Sequence, residues 1–483
     1  MTPSTFGVAE WRVIAPFSVV IAFAMGILLY EAFAGDPDDT ETPLWLSVLG
    51  VVGGLLASLA FWDPGIHGFE GTLALDGIAL FANVVCGLTI LLTLLMAPSY
   101  LGMIGVRTRE FYPLMLFTLS GMMIMGGARD LVVLFLGIEL MSIPAYVLAG
   151  IHRRDPLSGE ASLKYFVLGA FATAFLLYGI ALFWGATGTT SYAGITQAIP
   201  TAPGVAILGA VALLVVALGF KVGMVPFHFW APDVYQGSPT VVTAMMTVGI
   251  KAAAITAAAR FFVLALAPVQ VDWVIVLWWV AALTMTLGNV VAIAQNNVKR
   301  MLAYSSIAHA GYLTAAIAAG TPRGGAAALF YLLAYAFMNL GAFAVVMAVG
   351  AKGDPNELMS DYAGLVRRRP LLAAAMLLFL LSLMGVPPLV GFAAKLYIIE
   401  ALVNGGSVGL AVLLMLTSVV SGYYYLRVII EMFMRDPVKE PSAIEPQPYL
   451  MFCVGLLMLG TILVGIFPHL ALEFARQSFL VLG

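Results

Sequence analysis

The sequence predicts an all-α polytopic membrane protein with about fourteen transmembrane helices. Three observations predict it. Of 483 residues, 62% are hydrophobic and only 10% are charged, with a mean hydropathy of +1.02, and a soluble domain of this length has no means of hiding so much apolar surface. Apolar stretches long enough to cross a bilayer recur from end to end. Basic residues collect in alternate connections between those stretches. A β-barrel would show short alternating segments instead.

Cutting the chain at charged and Gly/Pro-rich breaks gives spans of roughly 17–25 residues or slightly more. They begin near residues 12, 44, 73, 111, 130, 161, 204, 239, 272, 301, 326, 370, 408 and 448. Residues 13–34 resemble a signal peptide because Ala32-Phe33-Ala34 mimics a cleavage site. The positive flank of such a peptide is missing, since Glu10 and Arg12 cancel, so the segment reads as a retained first helix.

The charges test the count. Arg107 and Arg109 fall between spans 3 and 4, Arg153 and Arg154 between 5 and 6, and Lys299 and Arg300 between 9 and 10. Lys352 and Arg367 to Arg369 fall between 11 and 12, and Arg435 and Lys439 between 13 and 14. With fourteen spans all five connections share one side, and the other side holds only Arg12, Arg129, Arg323 and Arg476. The positive-inside rule then puts both termini outside the cytoplasm. The acidic run DPDDTE (36–41) is cytoplasmic on this reading, which the rule permits because acids count little.

A repeat is visible inside the helical pattern. G-x-x-P occurs at Gly223–Pro226 in span 7 and again at Gly385–Pro388 in span 12. Each span is the fourth of a block of five, 4–8 and 9–13, and an odd number inverts the second block relative to the first. Proline removes a donor and breaks the helix, freeing carbonyls near residues 222 and 384 that need partners. A hydrated cavity is expected to supply them. Paired broken helices in inverted repeats point to a transport path, whereas a single kink reads as packing. The expected divisions are 1–110 for spans 1–3, 111–265 and 266–436 for the two repeats, and 437–483 for span 14.

Ionisable residues remain inside the spans: Lys164, Lys221, Lys251, Arg260, Lys395, Arg427 and Glu139. Each costs several kcal/mol to insert, roughly 3 for a lysine at the centre, so such groups face the protein interior and carry function. At 1.5 Å per residue Glu139 lies about 14 Å deep and Lys251 about 18 Å deep, both near the midplane. Lys221 precedes the first break, Lys395 follows the second, and His309 lies well inside span 10. Arg260 and Arg427 are expected to snorkel or pair locally; Lys164, near the end of its span, has the same option. A lysine beside a carboxylate holds its proton and an unpaired one releases it, so Lys221 is expected beside Glu139, and a row of such groups passes protons stepwise. His309 both donates and accepts, and Ser142, Thr243, Thr247, Ser305 and Ser306 are placed to order connecting water. His228 and Trp230 are expected at the cytoplasmic end, Trp230 as an interfacial anchor. The bland reading, structural ion pairs, explains any one lysine better than it explains the row.

Other chemistry has little support. Cys86 and Cys453 are isolated, too few for an iron–sulfur cluster. The five histidines (His67, His152, His228, His309, His469) are scattered. No phosphate-binding glycine loop occurs, and a net charge of −3 gives no nucleic-acid signal.

The stretches FKVGMVPFHFWAPDVYQGSPTVVTAMM (220–246) and NNVKRMLAYSSIAHAGYL (296–313) resemble subunit N of the proton-pumping NADH:quinone oxidoreductases, whose organellar counterparts are called subunit 2. The resemblance covers nearly the whole chain. PFHFWAPDVYQGSP is more like subunit N than its paralogues M and L, and Lys395 fits N where M has a glutamate. The resemblance implies fourteen helices with two inverted five-helix bundles, and a proton path through Glu139, Lys221, Lys251 and Lys395, with Lys164 and His309 assisting. It implies subunits M and K and a lateral helix of subunit L as partners, in the inner (plasma) membrane of a bacterium, with both termini periplasmic. NADH, flavin (FMN), iron–sulfur clusters and quinone then belong to other subunits, and this chain performs no redox chemistry itself. The alternatives are a Mrp-type sodium/proton antiporter subunit, which shares the fold, and a solute symporter, for which no substrate site is evident.

Overall fold

The computed structural model describes residues 7–33, 39, 41–106, 109–350, 356–437 and 447–480. Arg107, Lys352, Lys439, Ala34 and most of the acidic run 36–41 lie outside these residues. Three helices open the chain: α1 (Val8–Phe33), α2 (Glu41–Phe61) and α3 (Gly77–Met103), with a two-residue hairpin of β1 (His67–Gly68) and β2 (Leu73–Ala74) before α3. Then come α4 (Phe111–Gly127), α5 (Leu131–Ala149), α6 (Pro156–Thr187), the short α7 (Tyr192–Ala198) and α8 (Gly204–Val222). The pieces α9 (Ala231–Gly237), α10 (Thr240–Met245) and α11 (Lys251–Ala259) follow, and π-helical turns 246–250 and 260–265 flank α11 and join it to α10 in one rod. The remainder is α12 (Gln270–Ile293), α13 (Val298–Ala318), α14 (Pro322–Val349), α15 (Leu365–Arg368), α16 (Pro370–Met384), α17 (Val390–Asn404), α18 (Val408–Met434), α19 (Pro448–Ile466) and α20 (His469–Leu480).

Among the described residues, eleven helices are long and apolar enough to span a bilayer. The shorter α4 and α16 and the more polar α13 add three, consistent with fourteen spans in which α8–α9 and α16–α17 are the broken ones. Contacts between connections agree with alternating crossings. On the basic side Arg153 lies 3.7 Å from Glu110 and Arg367 2.7 Å from Asp436. Arg427 of α18 reaches Asn296. On the opposite side Arg129 meets His67, Asp130 bonds Thr190, and Arg476 approaches Glu400. Burial and the Arg129 guanidinium hold His67 below the usual histidine range.

The helix starts follow from local chemistry. Asp76, Asp130, Asp155, Asn297 and Thr321 each accept a backbone N–H in the first turn of α3, α5, α6, α13 and α14, satisfying donors that have no partner within the helix. Proline at the first position of α6 and α14 fits the same logic. Helices that are apolar all round belong at the centre. In their most apolar stretches, 94% of the residues of the rod Thr240–Ala265 and 89% of those of α14 are buried, against 28% in α1 and in α19, which lie at the rim. α1 nevertheless packs into the bundle through Val20, Ala24 and Ile27, all fully buried. Gly288 and Gly311 let α12 and α13 touch closely: a Cβ there would lie 2.6 Å from Ala308 N and 2.5 Å from Met285 N.

Both G-x-x-P breaks have the same geometry. α8 ends at Gly223 (φ 81°) and α16 at Gly385 (φ 95°), a conformation only glycine takes freely. Met224 N donates to Gly219 O and Gly223 N to Phe220 O, and Val386 N to Leu381 O and Gly385 N to Ser382 O. This double bond pattern closes a helix end, and both breaks have it.

Candidate functional site

Lys221 is the last ammonium before the first break. It is buried, and Nζ donates to Ser142 Oγ at 2.8 Å and to Tyr146 OH at 3.0 Å, both on α5. Glu139 lies on the same face of α5, one turn before Ser142, and accepts from Thr173 Oγ1 of α6 at 2.8 Å. The expected direct Lys221–Glu139 pair is therefore replaced by an ammonium on two hydroxyls and a carboxylate one turn away. The reason is helical: positions 139, 142 and 146 follow the i, i+3, i+7 row, and the lysine reaches its upper two members. Glu139 is half-buried rather than enclosed.

Lys251, between the two π turns, is 1% exposed. Its Nζ rests on Ser306 of α13, 2.5 Å from both the carbonyl oxygen and Oγ, with the Tyr335 ring centroid 5.3 Å away. π turns of this kind often mark functional positions. His309, three residues beyond Ser306, is held by Tyr331 OH at Nδ1 (2.6 Å) and faces Tyr425 OH at Nε2 (3.3 Å).

Lys395 caps the second break. Its Nζ donates to Leu383 O at 3.0 Å and Met384 O at 2.9 Å, and it lies 5.1 Å from the Tyr312 ring centroid. At the first break the corresponding cap is Trp230, whose Nε1 donates to Phe220 O at 3.0 Å. Phe220 O, Leu383 O and Met384 O at the breaks thus have protein donors. Trp230 is buried at 1% exposure and stacks on Tyr165 at 4.6 Å, so it is a core residue and not an interfacial anchor; an indole N–H needs an acceptor when buried, and the break supplies one. Trp230→Phe is expected to lower stability by about 2 kcal/mol, from one lost hydrogen bond and lost packing. Thermal unfolding of the purified protein checks this, and an unchanged midpoint would contradict the buried role.

Lys164 stands apart from the other lysines. It is 39% exposed and pairs with Glu160 at 2.5 Å and Asp233 at 2.9 Å. Arg300 takes the other oxygen of Asp233 at 2.9 Å. With Gln236 these groups line a polar cleft of about 180 Å³ on the basic side. Lys299, read as a loop charge, is buried and pairs with Glu357 at 3.1 Å while donating to Ser238 O. Arg260 was expected to snorkel or pair locally; instead it grips Asp76, 184 residues away in the chain, with two bonds of 2.6 Å, both side chains buried. Arg427 likewise binds the 293–296 turn.

Sequence reasoning missed Asp76, Asp233, Glu357, Tyr331 and Tyr425. Aspartate at a helix start was a signal for Asp76; the tyrosines carry none, because a phenol in an apolar helix reads as core. Among the described residues no group of three His, Cys, Asp or Glu side chains is placed to hold a metal ion.

Residues 128–421 match the family model described as NADH:quinone oxidoreductase/Mrp antiporter, transmembrane. NADH-quinone oxidoreductase subunit N of Trichlorobacter lovleyi is 42% identical, over 98% of each chain. The chain belongs to the subunit N family of NADH-quinone oxidoreductases. Among solved structures, a chain of respiratory complex I from Thermus thermophilus aligns with a TM-score of 0.81 at 35% identity, covering 95% of this chain and 98% of that one. A chain of the Mrp complex from Dietzia sp. aligns with a TM-score of 0.82 over 96% of each chain, but at 22% identity, a likeness of fold alone. The higher identity makes the subunit N family better supported than the Mrp alternative.

Proposed function

We propose that this chain is a proton-translocating membrane subunit of a NADH:quinone oxidoreductase. The observation that carries the reading is the row of buried ammoniums at Lys221, Lys251 and Lys395, each resting on hydroxyl or carbonyl oxygen. Structural lysines in a core are matched by carboxylates; hydroxyl partners let a lysine release and regain its proton. The proton path comprises Glu139, Lys221, Lys251, His309 and Lys395, with Lys164 in the ion cluster at the basic-side cleft. Protons enter or leave between Glu139 and Lys221 through Ser142, and the Lys251–Ser306 contact passes them into the second repeat.

Redox chemistry belongs to partner subunits, which hold NADH, FMN, the iron–sulfur clusters and quinone; this chain responds to it by moving protons. The neighbours are subunits M and K and a lateral helix of L, the membrane is the bacterial inner (plasma) membrane, and both termini are periplasmic. The asymmetry of basic residues supports that orientation, and the family supports the assembly. Residues 111–265 and 266–436 act as the two inverted halves, each with one broken helix.

The test uses assembled complex in sealed vesicles, with donor oxidation and proton uptake recorded together. Lys221→Ala and Glu139→Ala are each expected to lower both rates by about a hundredfold, the scale of a lost proton-transfer group, in complex that remains assembled. Unchanged rates in both variants would make the row structural and sink the reading.

A further inference from the structure

His309 sits between two phenols, and those phenols are the only polar groups that touch its ring among the described hydrogen bonds. Tyr331 of α14 lies 2.6 Å from Nδ1. Tyr425 of α18 lies 3.3 Å from Nε2 and 2.5 Å from Ser305 Oγ. Ser305 adjoins Ser306, on which Lys251 rests. All four members, Ser305, Tyr425, His309 and Tyr331, are at most 1% exposed. They come from three helices, the consecutive α13 and α14 and the distant α18.

Given the proton path proposed above, we propose that Tyr425 and Tyr331 are relay residues on either side of His309, making one hydroxyl–imidazole–hydroxyl wire that starts at Ser305. Ser305 gives its hydroxyl proton to Tyr425 as it receives one from the Lys251 side. Tyr425 passes its own proton to Nε2. The proton on Nδ1 leaves to the Tyr331 oxygen, and Tyr331 hands its hydroxyl proton to the neutral amine of Lys395, which becomes an ammonium; Lys395 lies over the Tyr312 ring, and that ring packs against Tyr331. Every oxygen ends with the one proton it began with, and the imidazole ends as the other neutral tautomer. Rotation of the hydroxyls and return of the tautomer reset the wire. No member carries net charge once the transfer is complete, which suits a site from which water is excluded and where a lone charge is costly. A packing role for the phenols would not require both ring nitrogens to face an O–H group.

The experiment keeps the rings and removes the hydroxyls. Tyr425→Phe, Tyr331→Phe, the double variant and Lys221→Ala are compared in assembled complex in sealed vesicles, by proton uptake and donor oxidation. Each Tyr→Phe change is expected to slow proton uptake by about tenfold or more, on the scale of a lost proton-transfer group. The double variant should be no slower than the worse single one, because members of one wire fail as a unit; independent packing defects would multiply instead. Multiplying effects, or wild-type uptake in both single variants, overturn the relay. If those variants keep wild-type uptake while Lys221→Ala loses it, the relay alone is wrong. If Lys221→Ala is also unaffected, the proton-path reading falls with it. Should Tyr425→Phe not assemble, Tyr331→Phe and His309→Gln, singly and together, give the same comparison.

Discussion

Replacing Asp76 by alanine is expected to destabilise the chain by about 3–5 kcal/mol, the cost of leaving one member of a buried ion pair without its partner. Arg260 is 2% exposed and its guanidinium meets Asp76 through two bonds of 2.6 Å and Gly126 O through a third of 3.0 Å. Asp76 also caps α3 by accepting from Ala79 N, a contribution of about 1 kcal/mol on its own. The ion pair thus fastens α3, α4 and the Lys251 rod. Native-gel abundance of the complex and its melting temperature are the readouts. Asp76→Ala combined with Arg260→Met should recover part of the loss, since two apolar groups leave no orphan charge. A single Asp76→Ala variant that melts with wild type would show the pair to be idle.

Lys395→Ala is expected to do more structural damage than Lys221→Ala. Lys221 donates to hydroxyls that can turn to other partners. Lys395 donates to two main-chain carbonyls at the broken end of α16, and a buried carbonyl left unpaired costs about 1–3 kcal/mol. At the first break Trp230 does the capping and leaves the lysine available. Removing the ammonium from the second break therefore removes a proton carrier and a helix cap together. Melting temperatures of the two alanine variants, measured on the same day in the same detergent, give the comparison; equal values would refute the difference between the breaks.

Much of the fold was legible because the bilayer makes hydropathy nearly decisive. The starts of the spans fall within a few residues of the helices found, and even α13, too polar to qualify by hydropathy alone, was bounded by Lys299 and Arg300 on one side. The breaks were legible from Gly223, Pro226, Gly385 and Pro388, since those residue types leave few alternatives. Pairings were not legible. Arg260 and Asp76 are 184 residues apart, and nothing local links Lys299 to Glu357. The burial of Trp230 was misread because tryptophan suits both a membrane interface and a core, and only the nearby Phe220 carbonyl decides between them.

The carboxylate of Asp233 has one oxygen on Lys164 of α6 and the other on Arg300 of α13. It sits on α9, the detached piece of the first broken helix. The two five-helix blocks are consequently stitched together on the basic side through Asp233, beside the Arg300–Gln236 and Lys299–Ser238 bonds. If either block slides, one of the two bonds lengthens while the other tethers the loose piece. In mechanical terms, α9 is a coupling link with a pin at its centre, and the pin is a charge whose grip weakens as salt is raised.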